Sequence, residues 1–108
     1  MSLQPYNAPM KLTDRQKKYL RALGHRLEPV VMVGQQGLTD GVVAETGRAL
    51  TDHELIKVRL RLGDRAARDE ALDELISRTG AILVQRVGNI ALIYLKNNEL
   101  NRIPLPNS

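Results

Sequence analysis

The sequence contains no cysteine, no phenylalanine and no tryptophan, and its aromatic residues are three tyrosines. The absence of cysteine excludes disulfide bonds and thiolate metal sites. No apolar run is long enough to cross a membrane as a helix, and the amino terminus lacks the basic and then apolar pattern of a signal peptide. We therefore expect a soluble, cytoplasmic protein whose core is built from valine, leucine, isoleucine and alanine.

A chain of 108 residues is long enough for one domain with a modest core. Residues 1–9 contain two prolines and no hydrophobic periodicity, which predicts a disordered leader. We expect the domain to occupy residues 10–97. Residues 98–108 are polar and contain two prolines, so we expect a tail that trails over the surface.

Positive charge is concentrated near the amino terminus. The net charge is +4, and residues 1–26 carry six basic residues against one acidic residue, whereas residues 27–108 carry ten against eleven. Such an asymmetry favours a polyanionic partner such as nucleic acid. A charged helix on a small protein can also serve solubility alone.

Hydrophobic periodicity and turn residues predict three helices and four strands. In chain order they are a helix over Thr13–Leu23, a strand over Pro29–Val33, a helix from Thr39 to about Leu50, a strand over Leu55–Leu62, a helix capped by Asp64 and ending near Thr79, and strands over Ala81–Val87 and Ile90–Lys96. Gly24 is predicted to end the first helix in a left-handed conformation, and Gly80 the third.

This order predicts an α/β fold, an α-β-α-β-α-β-β sandwich around a mixed four-stranded sheet. Right-handed crossovers place the second and third helices on one face of the sheet. The first helix is then free to cover part of the other face. The strand order is left open.

Two glycines flank two polar residues between the first strand and the second helix, and the candidate site residues there are Gly34, Gln35, Gln36, Gly37, Leu38 and Thr39. Backbone N–H groups at a helix start favour anions, and glycine lets the backbone approach a phosphate closely, as in the GXXG loop of KH domains. The two glutamines could add hydrogen bonds to phosphate, sugar or base. The same residues also fit an ordinary strand-to-helix turn, and no Gly-Lys-Ser/Thr follows to make a nucleotide triphosphate loop.

Two further sets of basic residues are candidate RNA contacts. The first set lies on the first helix and the turn after it, and comprises Arg15, Lys17, Lys18, Arg21, His25 and Arg26. The second set is Lys57, Arg59 and Arg61, which share one face of the second strand. Each set also fits a solvated surface, or an edge that is charged to resist aggregation.

No arrangement of residues typical of catalysis or of metal binding occurs in the sequence. His25 and His53 are its only imidazoles. Asp52 and Glu54 flank His53, but at a predicted helix-to-strand turn, where polar residues are common. We therefore expect a protein that is not an enzyme and that uses no cofactor, metal or small-molecule substrate.

Four segments together resemble the CRM domain (chloroplast RNA splicing and ribosome maturation) in its bacterial single-domain, YhbY-like form. They are Leu12-Thr13 with the basic helix ending in Leu23-Gly24-His25; Pro29-Val30-Val31 through Gly34-Gln35-Gln36-Gly37-Leu38-Thr39; His53-Glu54-Leu55-Ile56-Lys57-Val58; and Val84-Gln85-Arg86-Val87-Gly88 with Ile93-Tyr94-Leu95-Lys96. They follow the family's order over residues 10–96.

The resemblance implies an RNA-binding domain similar in fold to the C-terminal domain of bacterial translation initiation factor three. It implies RNA contacts at the GxxG loop and at the neighbouring basic surface, and ribosomal RNA in precursors of the large ribosomal subunit as the partner. We expect a monomer that contacts no membrane. The family loop usually carries a lysine or arginine between its glycines, whereas this chain has Gln35 and Gln36, so the charge must come from other residues.

The alternative function is a protein-interaction adaptor on the ribosome that contacts RNA only incidentally. An adaptor predicts an exposed apolar patch, for which Leu55 and Tyr94 are the candidates.

Overall fold

The computed structural model describes residues 11–100 and 102–107, and it contains the predicted helices and strands in the predicted order. They are α1 (Asp14–Gly24), β1 (Pro29–Val33), α2 (Asp40–His53), β2 (Leu55–Leu60), α3 (Arg65–Thr79), β3 (Ile82–Val87) and β4 (Ile90–Tyr94). The predicted leader over residues 1–9 lies outside the described residues. No helix in the described part combines the length and apolar character needed to cross a membrane.

The four strands form one mixed sheet in the order β1-β2-β4-β3. β1 and β2 run parallel, and β4 is antiparallel to both of its neighbours. The predicted fold class is confirmed. β4 is an inner strand and is buried on both faces from Ala91 to Tyr94, which explains why Ile90–Tyr94 is apolar throughout. The other inner strand, β2, is buried on one face, while Lys57 is half-buried and Arg59 exposed on the other.

The sheet separates two hydrophobic cores. α2 and α3 pack on one face, where Leu50 and Leu75 meet Val33, Val58 and other buried residues. α1 packs on the other face, where Leu20 meets a smaller cluster that consists of Leu55, Val84, Leu92 and Tyr94. The predicted division of the helices between the two faces is therefore confirmed.

The helix starts follow their capping residues. Thr13 and Gln16 form the predicted capping box, in which each side chain accepts a hydrogen bond from the other residue's backbone N–H. Gly80 ends α3 with φ 79°, as predicted. The prediction for Gly24 is wrong. The residue after α1, His25, stays in the right-handed conformation. Position 24 requires glycine for lack of space, because a Cβ there would lie 2.6 Å from the Leu92 side chain.

The carboxyl-terminal segment does not trail over the surface as predicted. Ile103 and Leu105 pack against the core beneath α1, and the Gln16 side chain donates a hydrogen bond to the carbonyl of Pro106 (2.8 Å). The buried Glu54 carboxylate accepts hydrogen bonds from the backbone of Asn97 (2.6 Å) and Ile103 (2.8 Å). Apolar side chains and a buried acceptor thus hold the segment against the domain.

Candidate nucleic-acid interface

The Gly34–Gly37 segment is a tight turn directly after β1. The Gly37 N–H donates a hydrogen bond to the carbonyl of Gly34 (2.9 Å), and Gly37 has φ 79°, a conformation that favours glycine. A Cβ placed on either glycine would meet no atom within 4 Å. Both glycines therefore face open space, as a close approach by a phosphate requires.

The two glutamines of the turn differ in their contacts. Gln35 donates from Nε2 to the backbone carbonyl of Arg61 (2.9 Å), which ties the turn to the loop after β2. Gln36 is exposed. The Gln35 amide thus already has a structural partner, and Gln36 is the freer candidate for a polar contact with a ligand.

Leu38 and Thr39 have structural roles at the start of α2. Leu38 packs against the core between the sheet and α2, while the Thr39 hydroxyl accepts a hydrogen bond from the N–H of Val42 (3.1 Å) and caps the helix. Asp40 follows in the first turn, and its carboxylate is paired with Arg78 (2.9 Å). This hydrogen bond raises the pKa of Arg78, and the pair offsets a negative charge beside the turn.

Lys57, Arg59 and Arg61 lie along β1 because β1 and β2 are paired, and their distance from the turn decreases in that order. Arg59 is the register partner of Met32. The N–H of Arg61 donates to the carbonyl of Val33 (2.8 Å), the last residue before Gly34. Among the described residues none of the three bases forms a salt bridge. The sheet register therefore places the unpaired cations Arg59 and Arg61 near the glycine turn, whereas Lys57 lies beside Pro29 at the other end of β1.

The basic set on α1 is divided by the fold. α1 packs over β2 and β3, and Arg15 and Lys18 line a groove against the carboxyl-terminal segment near Pro104. His25 lines a cleft with Lys57, whereas Arg26 lines an apolar groove beside Leu23 and Leu27. Lys17 and Arg21 are partly buried along the helix. Of this set, His25 shares a cleft with the basic face of β2.

A third basic cluster was not predicted from the sequence. Arg65, Arg68 and Arg86, together with Gly88 and Asn89, line a groove of about 650 Å³ at the start of α3. Arg68 donates to the carbonyl of Leu62 (3.0 Å), and Arg86 is paired with Asp69. The sequence does contain a signal for this cluster, because Arg65 and Arg68 lie three positions apart in the first turn of α3. Arg65 has no salt bridge within the described part.

The apolar patch predicted for an adaptor is absent from its expected place. Leu55 is 4% exposed and Tyr94 is fully buried, because both belong to the core beneath α1. The prediction is wrong because β2 and β4 are inner strands. The largest exposures among apolar side chains of the sheet are instead at Val30, Met32 and Val87.

In residues 11–100 and 102–107, no three histidine, aspartate or glutamate side chains converge as metal ligands would. The part of the chain that the structure describes therefore offers no metal centre on which to build a site.

The chain is similar to proteins of a known family. Residues 12–94 match the family model described as the CRS1 / YhbY (CRM) domain. A Pseudomonas aeruginosa protein named as a probable RNA-binding protein is 50% identical over 93 residues, which cover 86% of this chain and 89% of that protein. A Haemophilus influenzae protein named as an RNA-binding protein is 42% identical over 95 residues, which cover 88% and 95%.

A solved structure shows the same fold. The solution structure of a Staphylococcus aureus protein, for which RNA binding has been suggested, superposes with a TM-score of 0.75 at 32% identity. The alignment covers 89% of this chain and 100% of that one.

Proposed function

Because the chain belongs to the CRS1/YhbY (CRM) domain family, we propose that it binds RNA through the Gly34–Gly37 turn and the basic face of β2. The proposed interface consists of Gly34, Gln36, Gly37, Lys57, Arg59 and Arg61, with His25 at its margin. Binding requires no catalysis, and we propose a monomer that acts in the cytoplasm.

The observation that carries this proposal is the contact between the turn and β2. Gln35 bonds to the backbone of Arg61, and the Arg61 N–H bonds to Val33, so the turn and the cations are held together by two hydrogen bonds. Backbone N–H groups at the turn can contact one phosphate closely, while the cations attract neighbouring phosphates whatever the sequence. The charge that the two glutamines do not supply thus comes from the adjacent strand.

The finer part of the proposal is the identity of the RNA. We propose ribosomal RNA in precursors of the large ribosomal subunit, which the resemblance to YhbY-like proteins implies. Crosslinking in cells, followed by sequencing of the attached RNA and sedimentation of the protein with ribosomal particles, tests this. Recovery of large-subunit RNA from precursor particles supports it, whereas other RNAs, or sedimentation away from the particles, would contradict it.

Position 34 allows a direct test of the turn. Gly34 does not have positive φ, and its surroundings are open, so a side chain fits without backbone strain. Gly37 is unsuitable because at φ 79° any side chain is strained. We expect Gly34→Asp to weaken RNA binding about tenfold or more, since a hydrogen bond to a charged group contributes roughly 1.5–3 kcal/mol. The neutral control Gly34→Ala should lose much less RNA affinity.

Unchanged RNA affinity in Gly34→Asp, with unchanged thermal stability, would show that the turn is not the contact. The adaptor alternative predicts a different result. Association with ribosomal particles would then persist after Lys57, Arg59 and Arg61 are neutralised and would change little with salt.

A further inference from the structure

The sheet face beneath α1 is only partly covered. α1 contacts β2 and β3, and on the edge strand β1 the side chains of Val30 and Met32 are 50% and 51% exposed. Val30 lies at a register shift between β1 and β2, and such irregularities are common next to functional sites. An apolar strip therefore remains open at the edge of the sheet.

Cationic side chains border this strip on its β2 side. Met32 is the register partner of Arg59, and the Arg61 guanidinium lies 3.9 Å from the Met32 sulfur. A groove of about 570 Å³ is lined by Val30, Met32, Arg59 and Arg61 together with other residues of β1. This volume is within the range of roughly 300–1,000 Å³ of pockets that hold small organic molecules.

Acidic side chains also line this groove. Glu28 and Glu45 line it together with the residues of β1. A phosphate beside them would be repelled, so a nucleic-acid backbone is confined to the side of Arg59 and Arg61. An uncharged, planar group can still lie over Val30 and Met32.

We propose that Val30, Met32, Arg59 and Arg61, named here the β1 platform, bind an unpaired base of a single-stranded RNA segment. The phosphates on either side of this base would contact Arg59, Arg61 and the Gly34–Gly37 turn. This deepens the proposed RNA-binding function and rests on it. The partner is then RNA with an exposed loop, bulge or end.

The chemistry of the platform fits an unstacked base. Sequence-selective recognition of RNA relies on splayed-out bases that stack on flat side chains, including arginine guanidinium groups. The polarizable methionine sulfur makes favourable contacts with aromatic rings. A base inside an A-form helix is stacked on both faces and cannot reach such a surface. The unpaired cations at the strip favour RNA over an apolar protein partner.

The test uses Met32→Gln, which removes the apolar surface without changing charge, and Met32→Leu as the matched control. Because Met32 is half exposed, both variants should fold, which thermal unfolding verifies. The probes are a single-stranded RNA of mixed sequence, the same sugar-phosphate chain without bases, and the fully paired duplex of the same sequence.

We expect the wild-type protein to bind the single strand more tightly than the abasic chain or the duplex. Met32→Gln should lose about fivefold in affinity for the single strand, which corresponds to roughly 1 kcal/mol, the lower end for a stacked base. Its affinity for the other two probes and its salt dependence should not change, since the phosphate contacts remain. Met32→Leu should resemble the wild type.

Equal affinity for the single strand and the abasic chain, or no effect of Met32→Gln, would overturn the platform and leave RNA binding through phosphates intact. Binding to none of the probes would overturn both proposals. Loss of binding to a protein partner in Met32→Gln, with every RNA affinity unchanged, would assign the strip to that protein.

Discussion

Glu54 offers the sharpest test of how the domain is held together. Its side chain is fully buried and accepts hydrogen bonds from the N–H groups of Asn97 and Ile103. Its backbone has φ 65° and ψ −39°, a conformation that residues other than glycine rarely adopt. Replacement by alanine removes the hydrogen bonds and keeps the strain, whereas replacement by glycine removes both.

The structure gives the size of each effect. An unsatisfied buried donor costs about 1–3 kcal/mol, and two donors lose their acceptor, so Glu54→Ala should destabilise the domain by about 2–6 kcal/mol. Relief of an unfavourable backbone conformation contributes about 1–2 kcal/mol. Glycine loses more chain entropy on folding than alanine does, at a cost of roughly 0.5–1 kcal/mol. Glu54→Gly should therefore be more stable than Glu54→Ala by a net difference of about 0.5–1 kcal/mol.

Urea and thermal unfolding measure both differences. At roughly 4–8 °C per kcal/mol for a domain of this size, Glu54→Ala should lower Tm by about 10 °C or more. The exposed Glu99 provides the matched control, and Glu99→Ala should change stability by less than about 0.5 kcal/mol. Hydrogen exchange at Asn97 and Ile103 should also accelerate in Glu54→Ala. Equal stability of the alanine and glycine variants would show that the backbone at position 54 is not strained. Wild-type stability of Glu54→Ala would show that the hydrogen bonds to Glu54 do not hold the carboxyl-terminal segment in place.

Three further substitutions test the fold. Gly47→Ala in α2 should add up to about 1 kcal/mol of stability, because a Cβ there meets nothing within 4 Å; a loss of stability would contradict that open space. Gly88→Ala should destabilise the domain by about 1 kcal/mol, because Gly88 has φ 59° in the β3–β4 turn; an unchanged urea midpoint would contradict this. Burial and the charge of Glu54 raise the pKa of Tyr94 from 10.0 to about 12. The folded state then holds a proton that the unfolded state releases, so stability should fall as the pH rises from 10 to about 12; Tyr94→Phe should lack this fall, and an identical pH profile in both proteins would argue against it.

Local signals were sufficient to predict the helices and strands. The Thr13 capping box, the Thr39 and Asp64 caps and the Gly80 terminus depend on neighbouring residues, and the structure contains all of them. The alternating apolar residues of Leu55–Leu60 likewise set which face of the strand joins each core. The ends of some elements differ: α2 continues to His53 beyond the predicted Leu50, and β2 ends at Leu60 instead of Leu62.

Contacts between distant residues could not be predicted in the same way. The order β1-β2-β4-β3 places Arg59 beside Met32 and buries Leu55 and Tyr94, and no local pattern specifies it. Glu54 looked like an ordinary polar turn residue because its partners lie more than 40 positions further along the chain. The basic residues of α1 formed one set in the sequence, but the packing of the helix divides them.

The measurement that most directly tests RNA binding at the proposed interface is a titration of the isotopically labelled protein with single-stranded RNA, followed by backbone amide NMR. The largest shift changes should occur at Val30, Met32, residues 34–37 and residues 57–61, and they should weaken as salt is raised. Changes confined to the exposed acidic residues Glu70, Asp73 and Glu74 of α3, or to the groove between α1 and the carboxyl-terminal segment, would contradict RNA binding at this interface.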